Sequence, residues 1–261
     1  MPSLSNFPSN LFWRIRYAIR KLLGRPLPKF TEFYALPSQE LRRNYTGTVS
    51  DLFFENKERL VHKWLHYLPI YDRSLGPYAG SAVRMLEIGV YQGGSLDLWR
   101  KFLGPGAVIF GIDIDAGCAQ FDGIAGKVRI GSQDDPVFLR KIVQEMGGLD
   151  IVLDDGSHVA SHQRASFEVL FPLLSDSELY IIEDLHTSYW PWLGGGLRRK
   201  GTGIEFLKSK IDDMHRHYLD KDMNSEKFIP EIESIQFFDS IAVVVKKRQL
   251  PRHHVKIPPP P

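Results

Sequence analysis

Cysteine is nearly missing from this chain: Cys118 is the only one in 261 residues. One thiol excludes an internal disulfide framework and any zinc site built on cysteines, and it points to a reducing, cytoplasmic setting. Cys118 itself reads as a small buried residue, because no activating cluster surrounds it in sequence. Net charge is also scarce. The balance of +2 from 33 basic and 31 acidic residues gives no mandate for nucleic-acid binding. No run approaches the roughly 20 apolar residues that span a bilayer. The N-terminal aromatic run is broken by Arg14, Arg16, Arg20 and Lys21, which is not the order of a signal peptide. Internal repeats are missing as well. What remains, 43% hydrophobic and 25% charged, is the composition of a soluble globular domain, with or without an appendage.

Residues 1–82 read as an N-terminal arm and helical extension. In NLFWRIRYAIRKLLGR, Leu11, Phe12, Ile15, Ala18, Ile19, Leu22 and Leu23 share one side and the arginines the other. That is a helix for packing on this or a neighbouring subunit, and so for a homo-oligomer. Weak contact of residues 10–24 with a membrane surface is the alternative. The breakers in GRPLPKF end the arm, and 31–82 is mostly helical in pattern, most strongly in NKERLVHKWLHYLPIYDRSL. Between 83 and 247, strands at VRMLEIG, AVIFGID, KVRIG, DIVLDD and LYIIED alternate with the helical segments SLDLWRKFL, AGCAQF, DPVFLRKIVQEMG and SHQRASFEVLFPLL. That alternation predicts an α/β fold with a parallel, doubly wound sheet. Ser161 is the expected cap of the last of these helices and Pro172 its stop. After the helical IEFLKSKIDDMHRHYL, the runs IESIQFF and IAVVVKK flank an Asp-Ser turn, an antiparallel hairpin at the sheet edge that brings the count to seven strands. Residues 248–261 form a Pro-rich tail expected to be disordered.

Two strand ends carry an unusual load of charge. Asp154, Asp155 and His158 follow DIVL, and Glu183 and Asp184 follow LYII. Ligands bind at such ends in an open α/β sheet. Four carboxylates converging there call for a cation, and hard oxygen donors suit Mg²⁺ or a similar ion. His158, with an ordinary pKa of about 6.5, is the one candidate base. The alternative for each acidic pair alone is a helix cap or turn former. Earlier in the chain, Glu87-Ile88-Gly89-Val90-Tyr91-Gln92-Gly93-Gly94 closes the first strand. A dinucleotide fingerprint needs a glycine where Tyr91 stands, which argues against NAD or FAD but not against an adenosine ligand without phosphate. Asp113 ends the second strand and Gly131-Ser132-Gln133-Asp134 follow the third, positions suited to ribose and adenine. Tyr189, Trp190 and Trp192 read as a sugar-stacking platform or as core packing, and LGGGLRRKGTG as a mobile loop beside the site.

Over residues 60–247 these motifs resemble the class I S-adenosylmethionine-dependent methyltransferases. Within them, HYLPIY, EIGVYQGGSL, DDGSH and IEDLHTSYW resemble the metal-dependent macrolide-sugar O-methyltransferases, and more distantly the cephalosporin hydroxylase-like methyltransferases. The resemblance implies Asp155, Glu183 and Asp184 as ligands of Mg²⁺ and His158 as general base. It implies Glu87, Gly89, Tyr91, Gly93, Asp113, Gln133, Asp134 and Asp154 as the S-adenosylmethionine site. The function it implies is methylation of a sugar hydroxyl on a small molecule or glycan. A catechol-like or other phenolic acceptor is the alternative, although the catechol-type enzymes carry lysine where His158 stands and asparagine where Asp184 stands. A reading of another class is a non-catalytic cofactor-binding subunit.

Overall fold

The computed structural model describes residues 39–219 and 231–257. The arm at 10–24 and the final prolines lie outside the described residues. Strands β1 (Arg84–Ile88), β2 (Val108–Asp113), β3 (Lys127–Ile130), β4 (Ile151–Asp154) and β5 (Leu179–Ile182) form a parallel sheet in the order β3-β2-β1-β4-β5. Strands β6 (Ile232–Phe237) and β7 (Ala242–Lys246) complete the expected hairpin, with β7 antiparallel to β5 and β6 outermost. Composition explains which strand goes inside. Ala242, Val243 and Val244 are all buried, whereas β6 carries Glu233, Ser234 and Gln236 and tolerates an edge.

The helices are α1 (Gln39–Arg42), α2 (Thr48–Phe54), α3 (Leu68–Leu75), α4 (Gly94–Leu103), α5 (Pro136–Met146), α6 (Ala160–Leu170) and α7 (Gly203–His215). Asp135 caps α5 by accepting from the N–H groups of Val137 and Phe138, with Pro136 at the first helical position. Thr202 caps α7 by accepting from Glu205 N–H. Ser161 is not the cap of α6: the Val159 carbonyl already accepts from Gln163 N–H, so the helix begins one residue before it. AGCAQF forms only a 3₁₀ turn, Ala116–Phe121.

The larger departure is at NKERLVHKW. Residues 56–64 are irregular, and helical structure begins at Leu65. Tertiary contacts override the periodicity here. Arg59 Nε donates to the Gly93 carbonyl at 3.3 Å, and its guanidinium also pairs with Asp97. The strap lies so close to the start of α4 that a Cβ on Gly94 would sit 2.3 Å from the Leu60 carbonyl oxygen.

The sheet is buried on both faces, and strand alternation divides its side chains between two cores. One core gathers Met85, Trp99, Ile151, Leu153 and Ile181 with Tyr67, Leu68 and Tyr71 of the N-terminal extension. The other gathers Leu86, Ile88, Phe110, Val152, Phe167, Tyr180 and Ile182. This division decides where each acidic residue points.

Candidate active site

At the carboxyl ends of the strands, Asp155 follows β4 and Glu183-Asp184 follow β5, with the registers of β1, β4 and β5 bringing the three ends level. Gly89, at φ +98°, lets the loop after β1 touch this spot: a Cβ there would lie 2.2 Å from the Asp155 carbonyl oxygen. Tyr91, His158 and Asp184 are non-glycine residues held at positive φ, a strained conformation that clusters at functional sites. The turns bearing His158 and Asp184 are tied together by Thr187, whose hydroxyl lies 3.3 Å from the His158 carbonyl and 2.6 Å from that of Asp184.

Among the described residues, Asp155, His158 and Asp184 present ligand atoms within 4.8 Å of one another. His158 Nε2 stands 3.5 Å from Asp184 Oδ2 and 3.9 Å from Asp155 Oδ1. Its Nδ1 is buried without a hydrogen-bond partner. Two hard carboxylate oxygens facing an imidazole fit a small divalent cation. Tyr67 orients Asp184, with its hydroxyl 2.9 Å from Oδ1 and 3.0 Å from the Ser240 carbonyl, and it accepts from Asp184 N–H at 3.2 Å. Burial works against the Asp184 charge, but His158, His186 and Tyr67 outweigh it and bring its pKa below the ordinary aspartate value.

Glu183 is differently engaged. It is buried, and Lys63 Nζ bonds both its oxygens at 2.9 and 3.0 Å, while the Tyr71 hydroxyl donates to Oε1 at 2.5 Å. Burial, reinforced by Asp155, raises its pKa well above the ordinary glutamate value. Lys63 also reaches Asp155 Oδ2 at 2.5 Å. Burial alone would lower the lysine pKa, but the carboxylates of Asp155, Glu183 and Glu87 raise it on balance. Lys63, Tyr67 and Tyr71 are the site residues that sequence reasoning missed in these roles. Tyr67 and Tyr71 lie in HYLPIY, a segment shared with the resembling family, whereas Lys63 precedes it and carried no such signal.

The cofactor-side expectations divide. Tyr91 is 49% exposed and Asp113 is half-buried. Asp113 Oδ2 accepts from Val90 N–H at 2.9 Å and Tyr91 N–H at 3.0 Å, and Oδ1 from Asp115 N–H at 2.9 Å, so this carboxylate also shapes the glycine loop. Gly93, at φ +74°, caps α4. Asp134 is exposed and lies 3.4 Å from His162 Nε2, while His162 Nδ1 is 2.9 Å from Ser157 Oγ.

Glu87, Gln133 and Asp154 are buried. Glu87 lies inside β1 with no exposed surface, accepting from Ser95 Oγ at 2.9 Å and Trp99 Nε1 at 3.1 Å. Burial pushes its pKa up to about 7. Asp154 is also 0% exposed, on the face opposite Asp155, and takes Ser166 Oγ at 2.7 Å, Tyr180 OH at 3.1 Å and Gln133 Nε2 at 3.1 Å. Gln133 Oε1 in turn accepts from Ser157 N–H at 2.7 Å. Asp154 and Gln133 tie the turn after β4 to the loop after β3, and Glu87 ties β1 to α4.

Beside Asp184 stands an aromatic wall. Trp190 and Trp192 stack at 5.2 Å, His186 meets Trp190 edge-on at 4.6 Å, and Trp64 meets His186 at 5.7 Å. Tyr189 is 49% exposed. Cys118 is buried beneath the Tyr91 carbonyl, as expected of a packing residue. No helix among the described residues is long and apolar enough to cross a membrane.

No protein-family model matches the chain. Mycinamicin VI 2''-O-methyltransferase of Micromonospora griseorubida is 37% identical over 219 residues, covering 79% of this chain and 54% of that protein. Demethylmacrocin O-methyltransferase of Streptomyces fradiae is 39% identical over 191 residues, 68% of this chain and 48% of that protein. L-olivosyl-oleandolide 3-O-methyltransferase of Streptomyces antibioticus is 40% identical over 161 residues, 56% and 40% of the two chains. These three relatives are macrolide-sugar O-methyltransferases. The chain spans about half the length of these relatives. A solved structure of the MycE methyltransferase from the mycinamycin biosynthetic pathway, in complex with Mg, SAH and mycinamycin VI, overlays with a TM-score of 0.66 at 35% identity, covering 77% of this chain and 53% of that one. The seven-stranded sheet is thus the Rossmann-like methyltransferase fold.

Proposed function

We propose that this protein is an S-adenosylmethionine-dependent, divalent-metal-dependent O-methyltransferase acting on a sugar hydroxyl of a glycoside or glycan. The observation that carries the reading is the triangle of Asp155, Asp184 and His158 at the strand ends, adjoining the Gly89 loop. Its similarity to a methyltransferase solved with Mg and SAH supports the same two cofactors here.

Asp155 and Asp184, joined by Glu183, hold the cation. When bound, the ion stabilises negative charge on an acceptor oxygen. His158 Nε2 faces the same space and takes the hydroxyl proton. S-adenosylmethionine, when bound, would supply the sulfonium methyl group that the deprotonated oxygen takes, with S-adenosylhomocysteine as the leaving group. Tyr91, Gly93, Asp113 and Asp134 border the cofactor cleft, and Gly89 lets its loop approach. Trp190, Trp192 and Tyr189 form the platform on which a sugar ring stacks. We place the activity in the methyltransferase domain at 83–247, with residues 1–82 as its extension and 248–261 as a tail. We further read the protein as a cytoplasmic homo-oligomer, with residues 10–24 available to a membrane surface.

The test is an incubation with S-adenosylmethionine and Mg²⁺, following methyl addition by mass spectrometry on glycosides bearing vicinal diols and on catechols. Chelator-sensitive methylation of the glycosides is expected. Methylation of catechols alone would replace the sugar reading with the phenolic one. Failure to bind S-adenosylhomocysteine in a calorimetric titration would sink both.

A further inference from the structure

Lys63 stands where a metal-binding acidic cluster would least be expected to hold a lysine. Its side chain is 2% exposed, as is that of Glu183, and Asp155 beside them is 23% exposed. Nζ makes one bond to Asp155 and two to Glu183, so its ammonium donors are turned to the cluster. With the Tyr71 hydroxyl on Oε1, both Glu183 oxygens are engaged by protein donors. Asp155 is a two-sided carboxylate: Oδ2 faces the lysine and Oδ1 faces His158. Glu87, fully buried on the same face of the sheet, adds a further acidic group that the ammonium compensates.

We propose that Lys63 is a resident counter-ion of the Asp155–Glu183 pair, and that a divalent cation binds by displacing it. The inference rests on the metal site of the proposed function. Nζ sits against both Glu183 oxygens, and an ammonium and a doubly charged ion on one carboxylate repel strongly in a low-dielectric site. Lysine suits this exchange because its charge rides on a flexible four-carbon stem. The stem is mounted on the irregular strap 56–64, which is not locked into a helix. Without such a group, like charges would be buried together at the strand ends.

The experiment uses the full chain and Mn²⁺ alone, with no cofactor or acceptor. In calorimetric titration, Lys63→Met is expected to bind Mn²⁺ about tenfold more tightly than wild type, since no ammonium has to be displaced or repelled. Mn²⁺ should also raise the melting temperature of the variant more than that of wild type. In wild type, an amine-acylating reagent read by peptide mass spectrometry should spare Lys63 without Mn²⁺ and modify it several-fold faster with it. Affinity in Lys63→Met equal to or below wild type overturns the exchange. If that variant does not fold, labelling of wild-type Lys63 that is unchanged by Mn²⁺ overturns it instead. Absence of Mn²⁺ binding by wild type would defeat the proposed metal site and this inference together, whereas binding without tightening in the variant defeats this inference alone.

Discussion

Asp154→Asn separates a cofactor contact from a buried brace. Asp154 is fully buried and accepts from Ser166, Tyr180 and Gln133. Asparagine keeps one acceptor oxygen but turns an NH₂ group towards donors. Ser166 loses least, because its hydroxyl also lies 3.0 and 3.1 Å from the carbonyls of His162 and Gln163. Tyr180 OH also has Ser166 as a hydrogen-bond partner, whereas the nearest second partner for Gln133 Nε2 is Ser166 Oγ at 3.5 Å. An orphaned buried donor costs about 1–3 kcal/mol, and Gln133 Nε2 is the one left without a good partner. Burial raises the Asp154 pKa, meaning that its charge is itself unfavourable there, and removing it offsets part of that loss. The expected outcome is a destabilisation of about 1–3 kcal/mol in urea unfolding. Calorimetric affinity for S-adenosylhomocysteine should stay within threefold of wild type, roughly the scatter of an uncoupled site. A large loss of that affinity with unchanged stability would refute the assignment and return Asp154 to the cofactor.

Three further outcomes follow from the same geometry. His158→Gln should lower turnover by about 10²–10⁴, the usual worth of a positioned base, while leaving S-adenosylhomocysteine affinity unchanged; wild-type turnover in the variant would remove His158 from the chemistry. Tyr67→Phe removes the hydroxyl that orients Asp184 and should weaken Mn²⁺ binding by about tenfold in calorimetry; undiminished affinity would show that the hydroxyl is dispensable. Glu87 has a folded pKa raised from 4.5 to about 7, so in that window the folded chain holds a proton the unfolded chain has released, and stability falls as pH rises. Glu87→Gln should therefore gain about 3 kcal/mol on wild type above the window and nothing below it; a difference independent of pH in thermal melts would contradict the shift.

Much of the fold was legible because its signals are local. Strand–helix alternation at short spacing announced the parallel sheet, and the Asp-Ser turn announced the hairpin. The residue that pairs with β5 was not legible, because both hairpin runs are apolar enough to be strands and only burial on both faces selected β7. The strap 56–64 misled for the opposite reason: its amphipathic period is real, but Arg59 and Lys63 are drawn to separate points on the site.

By itself the sequence determined that acidic groups and His158 end two neighbouring strands and that a glycine loop without a dinucleotide fingerprint ends another. These are consequences of chain order and side-chain type. Only the tertiary structure decided that Asp154 and Asp155 part to opposite faces, that Glu87 and Gln133 are buried among protein donors, and that Lys63 arrives beside Glu183 from 120 residues earlier in the chain. The physical reason is common to all three. A carboxylate's role is set by which donors surround it and how dry they are, and those donors come from packing between distant segments, which no local period encodes.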